Sequence, residues 1–204
     1  MDDLIIRRFK ADDQQQIAVL MASSFRDDWL KIANLPDNKL AQFLIESGEI
    51  SPYPFEGYMV AEENGAILGM IKLNWVGQER PKFRLRLSQV SQHGFATAVK
   101  LLAMRYLFPE KPEKGACHVS EIAVSEKARR KGVATELLLF GKKLAGEKGL
   151  SKYTLNVDDC NKAALNLYRK AGFTIEKSRR NLLAKWLFGV DKWHFMSQPV
   201  DISG

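Results

Sequence analysis

A run of basic residues ending in glycine lies where the chain passes from a predicted strand to a predicted helix. The run reads Arg129-Arg130-Lys131-Gly132-Val133-Ala134-Thr135. The first turn of a helix has backbone N–H groups without intrahelical partners and a partial positive charge, so it can bind an anion such as pyrophosphate. Gly132 has no side chain to block a phosphate, and the basic residues before it add positive charge. A solvated basic turn fits these residues about equally well.

A second pattern lies on the helix that follows the next predicted strand. It reads Asn161-x-x-Ala164-x-x-Leu167-Tyr168-x-x-x-Gly172-Phe173. Tyr168 carries a phenol that can donate a proton, but apolar residues share its helix. By itself, Tyr168 could therefore be an ordinary core tyrosine.

Both patterns, together with the strand Glu121-Ile122-Ala123-Val124, resemble the GNAT superfamily of acyl-CoA-dependent N-acyltransferases. The first pattern is similar to the pyrophosphate loop of that family, Gln/Arg-x-x-Gly-x-Gly/Ala, and the second to its Asn-to-Gly-Phe helix. The resemblance covers roughly Val119–Phe173. It implies an α+β fold with a mixed, largely antiparallel central sheet flanked by helices. It also implies transfer of acetyl from acetyl-CoA to a primary amine of a small molecule or peptide.

The resemblance implies a role for each matching residue. Backbone groups of the strand Ile122, Ala123 and Val124 would bind the pantetheine arm. Backbone N–H groups of the loop would bind the pyrophosphate; the loop residues are Arg129, Arg130, Lys131, Gly132, Val133, Ala134 and Thr135. Asn161 would bind the cofactor arm, Ala164 would leave room for it, and Tyr168 would protonate the leaving thiolate.

The chain departs from the family pattern beside the loop. The family often has proline where Glu126 stands and glycine where Arg130 stands. Because neither position supplies an essential side chain, phosphate binding is expected to survive, in a less rigid loop.

The implied reaction needs a base, because an alkyl ammonium is mostly protonated at neutral pH. His118 and Glu121 are the candidates on the motif strand. Strand alternation predicts one face with His118, Ser120 and Ile122 and another with Val119, Glu121 and Ala123. Relatives with a base here tend to place it at positions resembling His118 or Ser120, which favours His118. A strand bulge, common in the family, would change this alternation and keep Glu121 as a candidate base. A hydrogen-bonding rim histidine and a structural ion pair of Glu121 are the alternatives.

The rest of the chain predicts the elements that position these residues. Asn64-Gly65 between two apolar runs predicts a hairpin of Tyr58–Glu62 and Ala66–Trp75. Strands are predicted at Leu4–Phe9, His118–Val124, Tyr153–Val157, Phe173–Lys177 and Lys192–Met196, and helices at Pro36–Ile45, Val133–Lys148 and Ala163–Ala171. We expect a single domain, residues 1–204, with an insertion at about 77–115. In this insertion Lys82–Leu87 alternates as an exposed strand would, and one helical face carries Phe95, Val99, Leu102 and Tyr106.

Composition excludes several classes of protein. With 204 residues, 46% of them hydrophobic and 27% charged, the chain is not disordered. No apolar run approaches the roughly 18 residues of a membrane span, and the N-terminus is acidic, so a cytoplasmic protein without a membrane partner is expected. The two cysteines form no metal-spaced cluster with histidine, so no metal is expected.

The net charge of +7 indicates an anionic ligand or partner. Nucleic acid is unlikely to be that partner because no recognition motif is present. A cofactor-binding module with little catalysis is a further alternative to the enzyme. Basic residues in the insertion and near Arg179 favour a neutral, anionic or peptide acceptor over a polyamine. The terminal strand Lys192–Met196 could form a homodimer.

Overall fold

The computed structural model describes residues 3–79, 93–108 and 112–201. Within these residues seven strands form one sheet in the order β1-β2-β3-β4-β5-β7-β6. The strands are β1 (Ile5–Arg8), β2 (Tyr58–Glu63), β3 (Ala66–Asn74), β4 (Ala116–Val124), β5 (Lys152–Asp158), β6 (Thr174–Arg180) and β7 (Lys192–Pro199). Neighbouring strands are antiparallel except β4 and β5, which are parallel. This arrangement confirms the mixed, largely antiparallel sheet.

The described ranges contain seven α-helices, which cover both faces of the sheet. They are α1 (Gln14–Ser24), α2 (Arg26–Ile32), α3 (Asp37–Glu46), α4 (Phe95–Leu107), α5 (Val133–Glu147), α6 (Lys162–Lys170) and α7 (Leu182–Phe188). On the α1 face, α1 to α4 and α7 pack with sheet residues such as Tyr58, Val60 and Ala123. On the α5 face, α5 and α6 pack with Ile71 and Val119. No helix in the described ranges is long and apolar enough to cross a membrane.

Most predicted elements agree with the structure. Asn64 and Gly65 both adopt positive φ, 51° and 79°, as the tight turn between β2 and β3 requires. The predicted strand at 82–87 lies outside the described residues. Helix α7 was not predicted; its N-cap is Asn181, whose Oδ1 accepts hydrogen bonds from the Leu183 and Ala184 N–H groups.

Strand β7 lies inside the sheet, which bears on the predicted dimer. It pairs with β5 on one side and with β6 on the other. Both of its hydrogen-bonding edges are therefore occupied, and the edge strands among the described residues are β1 and β6. Extension of the sheet into a second copy would have to use one of those edges.

An ion pair connects β1 to the start of α1. The Arg7 guanidinium donates from Nη1 to Asp13 Oδ2 at 2.7 Å and from Nη2 to Asp13 Oδ1 at 2.9 Å. The Lys10 backbone N–H also donates to Asp13 Oδ2, at 2.7 Å. The Asp13 carboxylate is buried, and its hydrogen bond from Arg7 lowers its pKa. The ionised form of Asp13 therefore stabilises this corner of the fold.

Replacing Asp13 with Asn should lower the free energy of unfolding at pH 7 by about 2 kcal/mol, because a charge-assisted hydrogen bond is lost. The pKa of Asp13 in the folded protein lies below the unfolded value of about 3.9, so its contribution is present above about pH 5 and disappears as the pH falls through the folded pKa. Urea unfolding should show that the free energies of unfolding of the wild type and Asp13→Asn converge as the pH is lowered from 7 to 3. Asp12→Asn, at an exposed neighbouring carboxylate, is the control; equal losses at Asp12 and Asp13 would contradict the assignment.

Candidate active site

Strands β4 and β5 separate part-way along their length. Their parallel pairing runs from Ala116 opposite Lys152 to Val119 opposite Leu155. Both strands continue beyond these residues, β4 to Val124 and β5 to Asp158. Past Val119, the edge of β4 that faces β5 has no strand partner in the described part of the chain. An extended ligand could pair with backbone groups there as an added strand would.

A bulge at Ser120 decides which side chains of β4 share a face. The register with β3 passes from Leu73 opposite Val119 to Lys72 opposite Glu121, so Ser120 is an extra residue on β4. After the bulge, Ile122 packs on the α5 face with Val119. Glu121 now lies on the same face of the sheet as His118.

The predicted alternation of β4 is therefore wrong beyond Ser120. It placed Ile122 with His118 and Glu121 with Val119, whereas the structure has the opposite arrangement. The physical reason is that a bulge shifts the two-residue side-chain period by one position.

His118 is buried at the point where β4 and β5 separate. Its Nδ1 lies 2.9 Å from Thr154 Oγ1, and that hydroxyl donates to the Cys117 carbonyl at 3.4 Å. Thr154 is then an acceptor toward the ring, which places the imidazole proton on Nδ1 and leaves the lone pair on Nε2. Asn156 Nδ2 lies 3.5 Å from Nε2. A neutral His118 can thus accept a proton at Nε2.

Thr154 and Asn156 were not among the predicted site residues. They lie on β5 and carry no recognisable motif. Their alternation along β5 places both beside His118, across the only parallel strand pair among the described residues. The available signal was the alternation of Thr154 and Asn156 with the apolar residues of their strand.

Glu121 is ion-paired. Its Oε2 lies 2.7 Å from Lys72 Nζ, and Lys72 stands directly opposite it on β3. Lys72 Nζ also lies 5.1 Å from the centre of the Tyr58 ring. Burial raises the pKa of Tyr58 to about 12. The row Tyr58, Lys72 and Glu121 therefore forms a polar strip across β2, β3 and β4, and the charge of Glu121 is balanced within it.

Tyr168 lies on α6 within the apolar layer of the α5 face. Its ring contacts that of Phe173 edge-on, with centroids 5.9 Å apart. Burial raises the pKa of Tyr168 to about 12. The phenol is consequently protonated at neutral pH and can act only as a proton donor there.

The basic loop has the geometry of an anion site. Gly132 is the N-cap of α5 with a φ of 87°, and a Cβ placed on it would meet no atom within 4 Å. Open space therefore adjoins the first-turn N–H groups of Val133, Ala134 and Thr135, which have no intrahelical acceptors. The Val133 side chain is buried beneath the turn. Arg129, Arg130 and Lys131 are exposed beside it.

Gly69 allows this helix end to approach the sheet. A Cβ on Gly69 would lie 3.0 Å from the Ala123 carbonyl oxygen and 3.0 Å from Val133 Cγ1. A larger residue would therefore push α5, and the loop before it, away from β3 and β4. No sequence motif indicates this role, because the close approach arises only when the helix packs on the sheet.

Asn161 is held at the start of α6. Its Oδ1 accepts a hydrogen bond from the Ala164 N–H at 3.0 Å, so this oxygen caps the helix. The preceding loop is anchored by His194, whose Nε2 lies 2.6 Å from Asp159 Oδ1 and whose Nδ1 lies 2.8 Å from Ser178 Oγ. The hydrogen bond with His194 lowers the pKa of Asp159. Asn161 is exposed, whereas Ala164, one turn later, is half-buried.

The structure thus brings the loop, the open edge of β4 and His118 together around the separation of two strands. The described residues contain no group of His, Cys, Asp and Glu side chains that could hold a metal ion. The sequence pattern of the GNAT acetyltransferase family matches residues 21–173. This chain belongs to that family. It is accordingly an acyltransferase, and the family uses acetyl-CoA as acyl donor.

Solved GNAT structures share the fold at low sequence identity. Ard1 from Thermoplasma volcanium aligns with a TM-score of 0.59 and 18% identity, over 97% of this chain and 98% of the other. The PaiA N-acetyltransferase from Thermoplasma acidophilum, in complex with coenzyme A, aligns with a TM-score of 0.56 and 15% identity, over 96% and 98%. The ribosomal-protein-S18-alanine N-acetyltransferase from Escherichia coli aligns with a TM-score of 0.56 and 15% identity, over 98% of this chain and 96% of the other. No curated protein sequence matches the chain significantly.

Arg130 adopts a backbone conformation that favours glycine. Its φ is 63°, within the left-handed region, where a residue with a Cβ costs about 1 kcal/mol or more. The family often has glycine here, and the structure supplies the physical reason. Arg130 therefore places strain in the loop.

Replacing Arg130 with Gly should raise the melting temperature by roughly 2 °C, because relief of the strain exceeds the added entropy of the unfolded chain. Arg129→Gly is a matched control, since it removes the same charge at a residue with a φ of −60°. Calorimetry of both variants tests the prediction. A rise in melting temperature at both positions, or at neither, would contradict it.

Proposed function

We propose that this chain transfers acetyl from acetyl-CoA to a primary amine of a small molecule or peptide, by direct attack in a ternary complex. The observation that carries the proposal is the separation of β4 from β5 with His118 at its apex and the basic loop at the start of α5. The separation offers an extended ligand access to the open edge of β4, and the loop offers N–H donors for its phosphates.

The residues around Gly132 fit a pyrophosphate. The open space over Gly132, the first-turn N–H groups of Val133 to Thr135 and the exposed Arg129, Arg130 and Lys131 together supply fixed donors and mobile positive charge. Backbone groups of Ile122, Ala123 and Val124 would bind the pantetheine arm. Asn161 and Ala164 would border that arm at the start of α6. Acetyl-CoA supplies the activated thioester.

His118 is the base that we favour. Its Nε2 carries the lone pair and lies 3.5 Å from Asn156 Nδ2, and it would take a proton from the attacking amine directly or through water. Glu121 shares the face, but its carboxylate is already ion-paired with Lys72 at 2.7 Å. Glu121 is therefore assigned a positioning role on this face.

Tyr168 is the proton donor that we favour for the leaving thiolate. A phenol whose pKa is raised to about 12 stays protonated at neutral pH. A thiol with an ordinary pKa near 8.5 is a stronger acid than this phenol, so complete proton transfer to the thiolate is uphill, and the phenol would act mainly by donating a hydrogen bond to sulfur as negative charge develops there. Tyr168 also packs in the core, and this contact fixes its ring.

The acceptor is proposed to be neutral, anionic or a peptide. Arg179 and Arg180 are exposed and form no ion pair within the described residues. These charges would repel a polyamine. A homodimer and a cytoplasmic location stay predictions of the sequence.

Thermal unfolding with acetyl-CoA or CoA tests cofactor binding. Ligand at 100 times its dissociation constant should stabilise the protein by about 2.7 kcal/mol, a rise in melting temperature of roughly 5–10 °C. Gly132→Glu should abolish the rise, because a carboxylate would occupy the phosphate position. Gly149→Glu is the control, since Gly149 also has positive φ but follows the other end of α5. Wild-type protein that does not respond to either ligand would refute the proposal.

Steady-state kinetics with an amine found by screening separates the proposed catalytic roles. His118→Ala should lower kcat/KM by about 100-fold or more. Tyr168→Phe should lower kcat by about 10-fold or more with little change in KM for acetyl-CoA. Glu121→Gln should cost only a few-fold.

His93→Ala is the control for the kinetic variants, since His93 lies near Glu46 and away from β4. If Glu121→Gln lowered kcat/KM by about 100-fold while His118→Ala cost only a few-fold, the assignment of the base would be reversed.

A further inference from the structure

Helix α4 is apolar on both of its sides. Leu101 faces the core and is fully buried. The opposite side carries Phe95, Val99, Leu102 and Tyr106, of which Phe95 and Tyr106 are 83% and 84% exposed. A surface helix ordinarily presents polar residues to water, so an outward apolar side indicates a partner.

Helix α7 is also apolar on both of its sides. Ala184 and Phe188 are buried, whereas Leu182 and Trp186 are 80% and 78% exposed and Leu183 is half exposed. The two helices pack against each other, and both contact α2. We refer to their exposed side chains as the α4–α7 surface: Phe95, Val99, Leu102, Tyr106, Leu182, Leu183 and Trp186.

The charged residues of α4 and those just before α7 are basic. Helix α4 carries Lys100 and Arg105, and Arg105 is ion-paired with Glu49. Arg179 and Arg180 directly precede α7, are exposed, and have no ion pair in the part of the chain that the structure describes. Exposed aromatic and leucine side chains bordered by arginine are typical of helices that lie in the interface of an anionic bilayer.

Charge also decides against a second copy of this chain. In a two-fold dimer the same patch meets itself, so the arginines of both copies would be brought together. Like charges placed opposite each other oppose association. An anionic lipid headgroup layer instead neutralises them.

We propose that the α4–α7 surface binds the interface of an anionic lipid bilayer. Trp186 and Tyr106 would enter the headgroup region, and Arg179 and Arg180 would contact lipid phosphates. This surface association needs no membrane-spanning helix, but it departs from the expectation, drawn from the sequence, of no membrane partner. The bound bilayer would lie on the α1 face, the side of the sheet that carries His118.

The full chain should be tested by flotation with vesicles of phosphatidylcholine alone and vesicles that also contain phosphatidylglycerol. We expect binding to the anionic vesicles only, with loss of binding as sodium chloride is raised. Tryptophan fluorescence should shift to the blue on binding and be quenched by brominated lipid, because Trp186 is the most exposed tryptophan among the described residues.

Matched variants assign the effect to this surface. Trp186→Glu and Leu182→Glu should abolish vesicle binding, whereas Leu139→Glu, at a half-exposed leucine of α5 on the other face, should not. Arg179→Ala and Arg180→Ala should each weaken binding to anionic vesicles roughly fivefold, and Lys143→Ala on α5 should have no comparable effect. Circular dichroism must show that each variant is folded.

Three results would overturn the proposal. The first is no binding of wild-type protein to anionic vesicles at low salt. The second is equal binding to neutral and anionic vesicles. The third is a concentration-dependent dimer that Trp186→Glu dissociates while vesicles stay unbound, which would make the surface an interface between copies.

Discussion

The separation of β4 from β5 is the constraint on which the candidate site depends. Each strand is held on its other side by an antiparallel partner, β3 for β4 and β7 for β5. The gap between them can therefore persist without either strand losing its place in the sheet. Because it leaves backbone donors and acceptors on β4 open, the gap is the feature that an extended cofactor arm requires.

The bulge at Ser120 decides which β4 residues beside this gap lie on each face of the sheet. Before the bulge, Val119 continues the apolar layer of the α5 face; after it, Ile122 resumes that layer one residue later than simple alternation requires. His118 and Glu121 consequently share the α1 face. The sheet thus separates His118 and Glu121 from the helices α5 and α6.

Close packing and local strain position the basic loop before α5. Gly69 permits α5 to lie against β3, and the buried Val133 ties the first turn of the helix to that contact. Arg130 keeps a left-handed backbone at an energetic cost. The loop therefore combines a rigid set of N–H donors with exposed basic side chains, which suits a flexible, doubly charged ligand group.

The sequence by itself determined the features that depend on local backbone chemistry. Gly132 at a helix start, Asn64-Gly65 between strands and the pattern from Asn161 to Phe173 are short segments, and their residue types are sufficient to predict their conformations. The α+β fold and the family followed from their order. The apolar side of α4 was also visible in the sequence, though not that it faces outward.

Tertiary structure decided whatever depends on pairing between distant segments. The bulge at Ser120 exists only relative to β3, and the contact of His118 with Thr154 joins residues 36 positions apart. Helix α7 is apolar on both sides, so it lacks the amphipathic period that identifies a surface helix in a sequence. Strand register and helix packing are set by contacts across the whole domain, and neither leaves a local pattern in the chain.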